Sequence, residues 1–142
     1  MACSHLRAGV EAMANGEQNS EARPRLAIAI VNWNGGALLA QCLDSLRAAL
    51  VRPGAPGARI IVVDNGSSDG SAEPGNLGDD IDLIRNPTNR GFGAACNQAA
   101  ARVDSDFLLF LNPDCRVAAG SIEACLARME ADPAVGVAGI AL

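Results

Sequence analysis

The 142-residue sequence contains no lysine and no tyrosine, and only one histidine and one tryptophan. All eleven basic residues are arginine, which excludes Schiff-base and P-loop chemistries that need a lysine amine. The histidine, His5, lies in a polar N-terminal stretch, so Ser/His and Cys/His hydrolase chemistry has no imidazole to use. Aromatic residues are 3% of the chain, too few for the ring platforms that stack single-stranded nucleic acid. The net charge of −5 likewise argues against a polyanion partner, and no nucleic acid is expected. No apolar run reaches the roughly 18 residues of a membrane span. Met1–Pro24 has no apolar core of a signal peptide, being interrupted by Glu11, Asn15, Glu17 and Gln18. The five cysteines, Cys3, Cys42, Cys96, Cys115 and Cys125, show neither a CxxC nor a Cys/His spacing. That argues against a zinc site or disulfide framework and fits a reducing, cytoplasmic location.

What remains is the balance of one globular domain, with 49% hydrophobic and 19% charged residues. Residues 1–24 are polar, alanine-rich and aperiodic, and read as a disordered tail; the folded part is expected over 25–142. Leu26–Val31 is a continuous apolar run, as in a parallel strand buried on both faces. Helical spacing follows in 36–50, with Leu38, Leu39, Cys42, Leu43, Leu46 and Leu50 on one stripe. Further strands are expected at 59–63, 81–84 and 107–111, with helices over 91–102 and 120–131. The start of a fifth strand is expected at 135–142. Strands alternating with helices predict an α/β fold with a mostly parallel, Rossmann-like sheet.

In such sheets ligands bind beyond the carboxyl ends of the strands. Four loops leave those ends: Asn32-Trp33-Asn34-Gly35, Asp64-Asn65-Gly66-Ser67-Ser68-Asp69, Asn86 to Gly91, and Asn112-Pro113-Asp114-Cys115. All are rich in Asn, Asp, Ser or Gly, so one edge collects the hydrogen-bonding side chains. Asp104-Ser105-Asp106 has D-x-D form but precedes its strand, and reads as a solvated turn.

The succession IAIVNWN, IIVVDNGSSDGS, LIRNPTNRGFGAACNQA, FLLFLNPDC and AVGVAGIAL resembles family-2 glycosyltransferases of the GT-A type, nearest their rhamnosyltransferase-like members. The likeness runs from about Leu26 to Leu142, with four motifs in order. It implies an inverting enzyme that transfers a sugar, rhamnose in the nearest members. The donor would be a nucleotide-diphosphate sugar such as dTDP-rhamnose or a UDP-sugar, and the acceptor a polysaccharide or lipid-linked glycan. Activity would lie in the cytoplasm, at the inner membrane face where the acceptor is lipid-linked.

The resemblance also implies residue roles. Asp114 would hold a divalent cation, Mg²⁺ or Mn²⁺, which takes one or two protein carboxylates and completes its shell with phosphate and water. Asn112 replaces the first acid of a D-x-D motif and would contact sugar or ribose, or reach the metal through water. Asp64 would accept hydrogen bonds from base or ribose; an Asx-turn or helix cap is its structural alternative, and for Asp69 capping is at least as good a reading. Asn32 and Asn34 would line the nucleotide, with Trp33 either beside them or packed under the following helix. Asn65 belongs to the same set. Asn89, Arg90 and Gly91 open the third helix, whose N–H groups could face the diphosphate. Arg90 reads equally as a phosphate partner or a surface charge, and Asn97 also lies near this end.

An inverting transferase needs a base for the acceptor hydroxyl. In this family that carboxylate lies beyond a strand like the last one here, and no candidate follows Asp132. The expectation is the N-terminal, donor-binding part of a longer enzyme. The alternative is a nucleotide-sugar-binding remnant without turnover.

Overall fold

Alternating large and small apolar residues in the first strand decide how the layers assemble. The computed structural model describes residues 23–139. In β1 (Leu26–Asn32) every residue is buried. Leu26, Ile28 and Ile30 point to one face and pack with Leu39, Cys42, Leu43 and Leu46 of α1 (Ala37–Leu50) and Ile122 and Leu126 of α4 (Ser121–Ala131). Ala27, Ala29 and Val31 point to the other face, against Ala95, Cys96 and Ala99 of α3 (Phe92–Ala100). Small residues on both partners allow that close approach.

The remaining strands are β2 (Ala58–Asp64), β3 (Ile81–Arg85) and β4 (Phe107–Leu111), and a one-turn helix, α2 (Pro74–Leu77), precedes β3. All pairings are parallel, in the order β3-β2-β1-β4. The chain therefore winds outward from β1 through β2 to β3, then returns to β1's other side. The point where the order reverses lies between β1 and β4, where open α/β sheets bind ligands.

Three features differ from the sequence expectation. First, Leu38, expected on the apolar stripe of α1, is 49% exposed, because it lies off the face that meets the sheet. The fourth strand, whose place in the sheet the sequence left open, is an edge strand, with Leu108 and Phe110 37% and 46% exposed. They lie on the face that α3 covers over β1 and β2 and leaves open over β4. Second, residues 135–139 form no strand; they carry Gly136 and Gly139, and no strand pairs with them. The rest of that expected strand, 140–142, and the expected tail over 1–22 lie outside the described residues. Third, α2 was not legible, because four residues hold too little periodicity. At the opposite, amino edge of the sheet, Asp104 and Asp106 are exposed and pair with Arg23, in keeping with a solvated turn.

Candidate functional site

The first three carboxyl-end loops are stitched to one another mainly by amide and hydroxyl side chains. Beyond the strand ends the backbone ladder continues for one step: Asn65 N donates to Asn32 O at 2.8 Å and Asn86 N to Asp64 O at 2.8 Å. The Asn32 side chain, fully buried, donates through its amide to Ser67 Oγ (3.1 Å) and Ser71 Oγ (2.9 Å). Its Oδ1 has no hydrogen-bond partner. Asn34 takes a left-handed conformation, φ 53°, and its Oδ1 accepts from Ser68 N at 2.8 Å, so the first loop is tied to the second. Trp33 is 58% exposed at this edge rather than packed under α1.

In the second loop Asp64 is almost wholly buried, and its Oδ1 accepts from the N–H three residues on, Ser67 N, at 3.1 Å, as a capping side chain does. Asp69 does the capping: Oδ2 accepts from Gly36 N at 2.8 Å at the start of α1, which has no cap of its own. Its Oδ1 takes the Ser71 hydroxyl at 2.6 Å and the Ser71 N–H at 3.0 Å. Those Ser71 bonds, the hydroxyl first, hold the Asp69 carboxyl below its ordinary range.

The third loop is organised by four amides. Asn86 and Gln98 pair through both ends of their amide groups, at 2.8 and 2.9 Å. Asn86 also donates to Asn65 Oδ1 at 3.1 Å, and Asn65 donates to Asn89 Oδ1 at 2.9 Å. Asn65 Oδ1 accepts the Arg90 N–H at 3.0 Å, and Asn89 Oδ1 accepts the Gly91 N–H at 2.8 Å. Arg90's side chain is exposed, and Gly91, φ 84°, starts α3 without a side-chain cap. Gln98, on α3, closes this network, a role the sequence did not show.

The fourth loop is a β-turn in which Cys115 N donates to Asn112 O at 3.1 Å, with Pro113 at its second position. Asn112 and Asp114 are exposed on it. The turn packs against the first loop, with Pro113 Cβ 3.5 Å from where a Cβ on Gly35 would stand. Behind it, burial pushes the Cys42 thiol up to about 11, helped by Cys115 and Asp114 nearby, so it stays protonated.

Each predicted site residue thus lies at one sheet edge, in two kinds. Asn32, Asn34, Asn65, Asn89 and Gly91 bond loop to loop, whereas Trp33, Arg90, Asn112 and Asp114 are exposed; Asp64 is buried, with one oxygen bonded within its own loop. Ser67, Ser71, Asn86 and Gln98 complete the frame, and only their polarity at strand ends could have signalled it. Among the described residues no three His, Cys, Asp or Glu side chains gather into a metal cluster. Asp114 is the carboxylate this turn carries, and a hard cation held there would take its other ligands from phosphate and water.

The model of the family described as glycosyl transferase family 2 matches residues 27–141. An N-acetylglucosaminyl-diphospho-decaprenol L-rhamnosyltransferase of Mycobacterium tuberculosis is 28% identical, aligning with 80% of this chain and 40% of its own length. The chain thus spans about two fifths of the curated relatives it matches. Staphylococcus aureus TarS, residues 1–349, superposes on 83% of this chain and 38% of its own with a TM-score of 0.64 at 19% identity. The same TarS fragment is also known in complex with UDP-GlcNAc. A mannosyltransferase of Pyrobaculum calidifontis, in complex with GDP-Man and Mn²⁺, superposes on 80% of this chain and 34% of its own, with a TM-score of 0.63 at 23% identity. These superpositions identify the GT-A fold. Among the described residues no helix is long and apolar enough to cross a membrane.

Proposed function

Because this chain belongs to glycosyl transferase family 2, we propose that its carboxyl edge binds the donor of an inverting glycosyl transfer. The donor is a nucleotide-diphosphate sugar, dTDP-rhamnose before a UDP-sugar. The acceptor is a polysaccharide or lipid-linked glycan met at the cytoplasmic membrane face. The observation that carries this reading is the placement of Asp64, at the end of β2, and of the Asp114 turn, after β4, on either side of β1 and beside the point where strand order reverses. The rhamnosyltransferase relative and the nucleotide-sugar complexes of the structural neighbours support the donor class.

Asp64, one oxygen fixed by Ser67 N–H, offers the other to a ribose or base donor group. Trp33 gives the base an exposed ring to lie against, and Arg90 gives the diphosphate a cation beside the uncapped start of α3. Asn112 contacts the sugar or ribose. Asp114 holds Mg²⁺ or Mn²⁺, which when bound neutralises charge developing on the departing diphosphate. Asn32, Asn34, Asn65, Asn89 and Gly91 shape the edge that these groups share. No acceptor-side base is assigned among the described residues.

Calorimetric titration with dTDP, UDP and GDP in the presence of Mn²⁺ tests the donor class. Preference for dTDP supports the rhamnosyl reading, and preference for UDP or GDP overturns it. Loss of all binding in Asp64→Asn, in a chain that keeps its fold, is the result expected of the nucleotide site.

A further inference from the structure

The turn that presents Asp114 is held from behind by one helix. Gln41, Cys42 and Ser45 lie within one turn of α1, and each reaches the Asn112–Val117 segment. The Cys42 thiol donates to Asn112 O at 3.6 Å, the same oxygen that closes the turn with Cys115 N at 3.1 Å. The Arg116 guanidinium donates to Gln41 Oε1 at 2.6 Å. Ser45 Oγ accepts from Val117 N at 3.0 Å while donating to Cys42 O at 2.8 Å, so both roles of its hydroxyl are used. Asp114 is therefore bracketed on both sides by bonds to a helix whose buried face, Leu39, Leu43 and Leu46, is locked in the core. The backbone N–H of Gly36, the residue just before the same helix, is fixed by Asp69 of the second loop.

A carboxylate on an exposed turn gains nothing in position from its own contacts. Mg²⁺ tolerates little departure from octahedral geometry, so a lone carboxylate ligand must be held from elsewhere. Gln41 accepts from an exposed guanidinium that water could also satisfy, and the Cys42 thiol is itself a weak donor. Ser45 links a loop amide directly to the helix backbone. Taking Asp114 as the donor-site metal ligand, as proposed above, we infer that Ser45 is a positioning residue. With Gln41 and Cys42 it holds the Asp114 turn in the geometry that a cation-bound nucleoside diphosphate requires.

Ser45→Ala, Ser45→Thr and the wild-type chain are compared by amide hydrogen exchange and by calorimetric titration with UDP and dTDP, with and without Mn²⁺. Ser45→Ala is expected to speed exchange at Val117 N–H while the β1 amides stay protected. It should also weaken Mn²⁺-dependent nucleotide affinity about 10-fold, the size typical of groups that orient a metal ligand, and leave metal-free affinity unchanged. Threonine keeps the hydroxyl and restores both. Faster exchange at Val117 with unchanged Mn²⁺-dependent affinity would overturn the inference, because the serine would then be structural only. So would unchanged exchange. A wild-type chain that protects Val117 but binds neither nucleotide would overturn the donor-site reading itself, a result distinct from either.

Discussion

Gly35 stands so close over the Asn32 side chain that a methyl group on its Cα would meet Asn32 Oδ1 at 2.3 Å. Asn32 cannot retreat, since its amide is held by two serines and its carboxamide is fully buried. Gly35→Ala is therefore expected to destabilise the chain by about 1–3 kcal/mol, the usual cost of overpacking. Urea unfolding followed by circular dichroism measures it; an unchanged midpoint would show that the first loop shifts freely.

A second close approach joins loops two and three. Gly66 has φ +82°, and a Cβ there would lie 2.7 Å from the carbonyl carbon of Thr88. Both the left-handed backbone and the backbone contact penalise a side chain, so Gly66→Ala should cost about 1–3 kcal/mol. The loop carrying Asn89 and Arg90 should move with it, weakening nucleotide binding as well as stability. Retained affinity in a destabilised variant would separate that loop from the site.

The Asn86–Gln98 pair gives a coupling test. Each single change to alanine leaves the other amide, buried in Asn86 and half-buried in Gln98, without its pair, at up to about 1–3 kcal/mol, whereas the double change removes both ends together. The double-mutant cycle should therefore fall short of additivity by about 0.5–3 kcal/mol. Additive losses would mean that the paired amides act independently.

Acid stability has a sign that the ion pairs fix. Asp82 lies between Arg102 and Arg59, and Asp80 against Arg47; the guanidinium hydrogen bonds, Arg102's and Arg47's first, hold both carboxyls below their ordinary value of 3.8. A carboxylate whose folded value is depressed contributes stability above its unfolded value, and that contribution is lost as pH falls through the folded one. Asp82→Asn should accordingly melt lower than wild type at pH 7, and the two melting temperatures should converge as pH falls below about 4. Parallel curves down to low pH would contradict the pairing.

Much of this architecture could be read from residues. The LAIAIV run shows a doubly buried strand because its neighbours on both sides are apolar layers, and Asn, Asp and Ser after each strand mark the polar edge. Their partners could not be read: an asparagine at a strand end bonds a substrate or the next loop with the same group. Asn32, Asn34 and Asn65 proved to bond the next loop. The edge position of β4 was also hidden, because FLLFL is apolar at every residue and periodicity is silent about which face is covered. The capping role of Asp69 was among the readings its type allowed, and Gly36 supplies the partner.

The most direct test of the donor site is titration of the chain with UDP and dTDP, with and without Mn²⁺, beside Asp114→Asn. Affinity that rises with Mn²⁺ in the wild type and loses that rise in Asp114→Asn is the predicted result. A folded chain whose nucleotide affinity ignores Mn²⁺, or whose Asp114→Asn variant keeps the full enhancement, would contradict the assignment of Asp114.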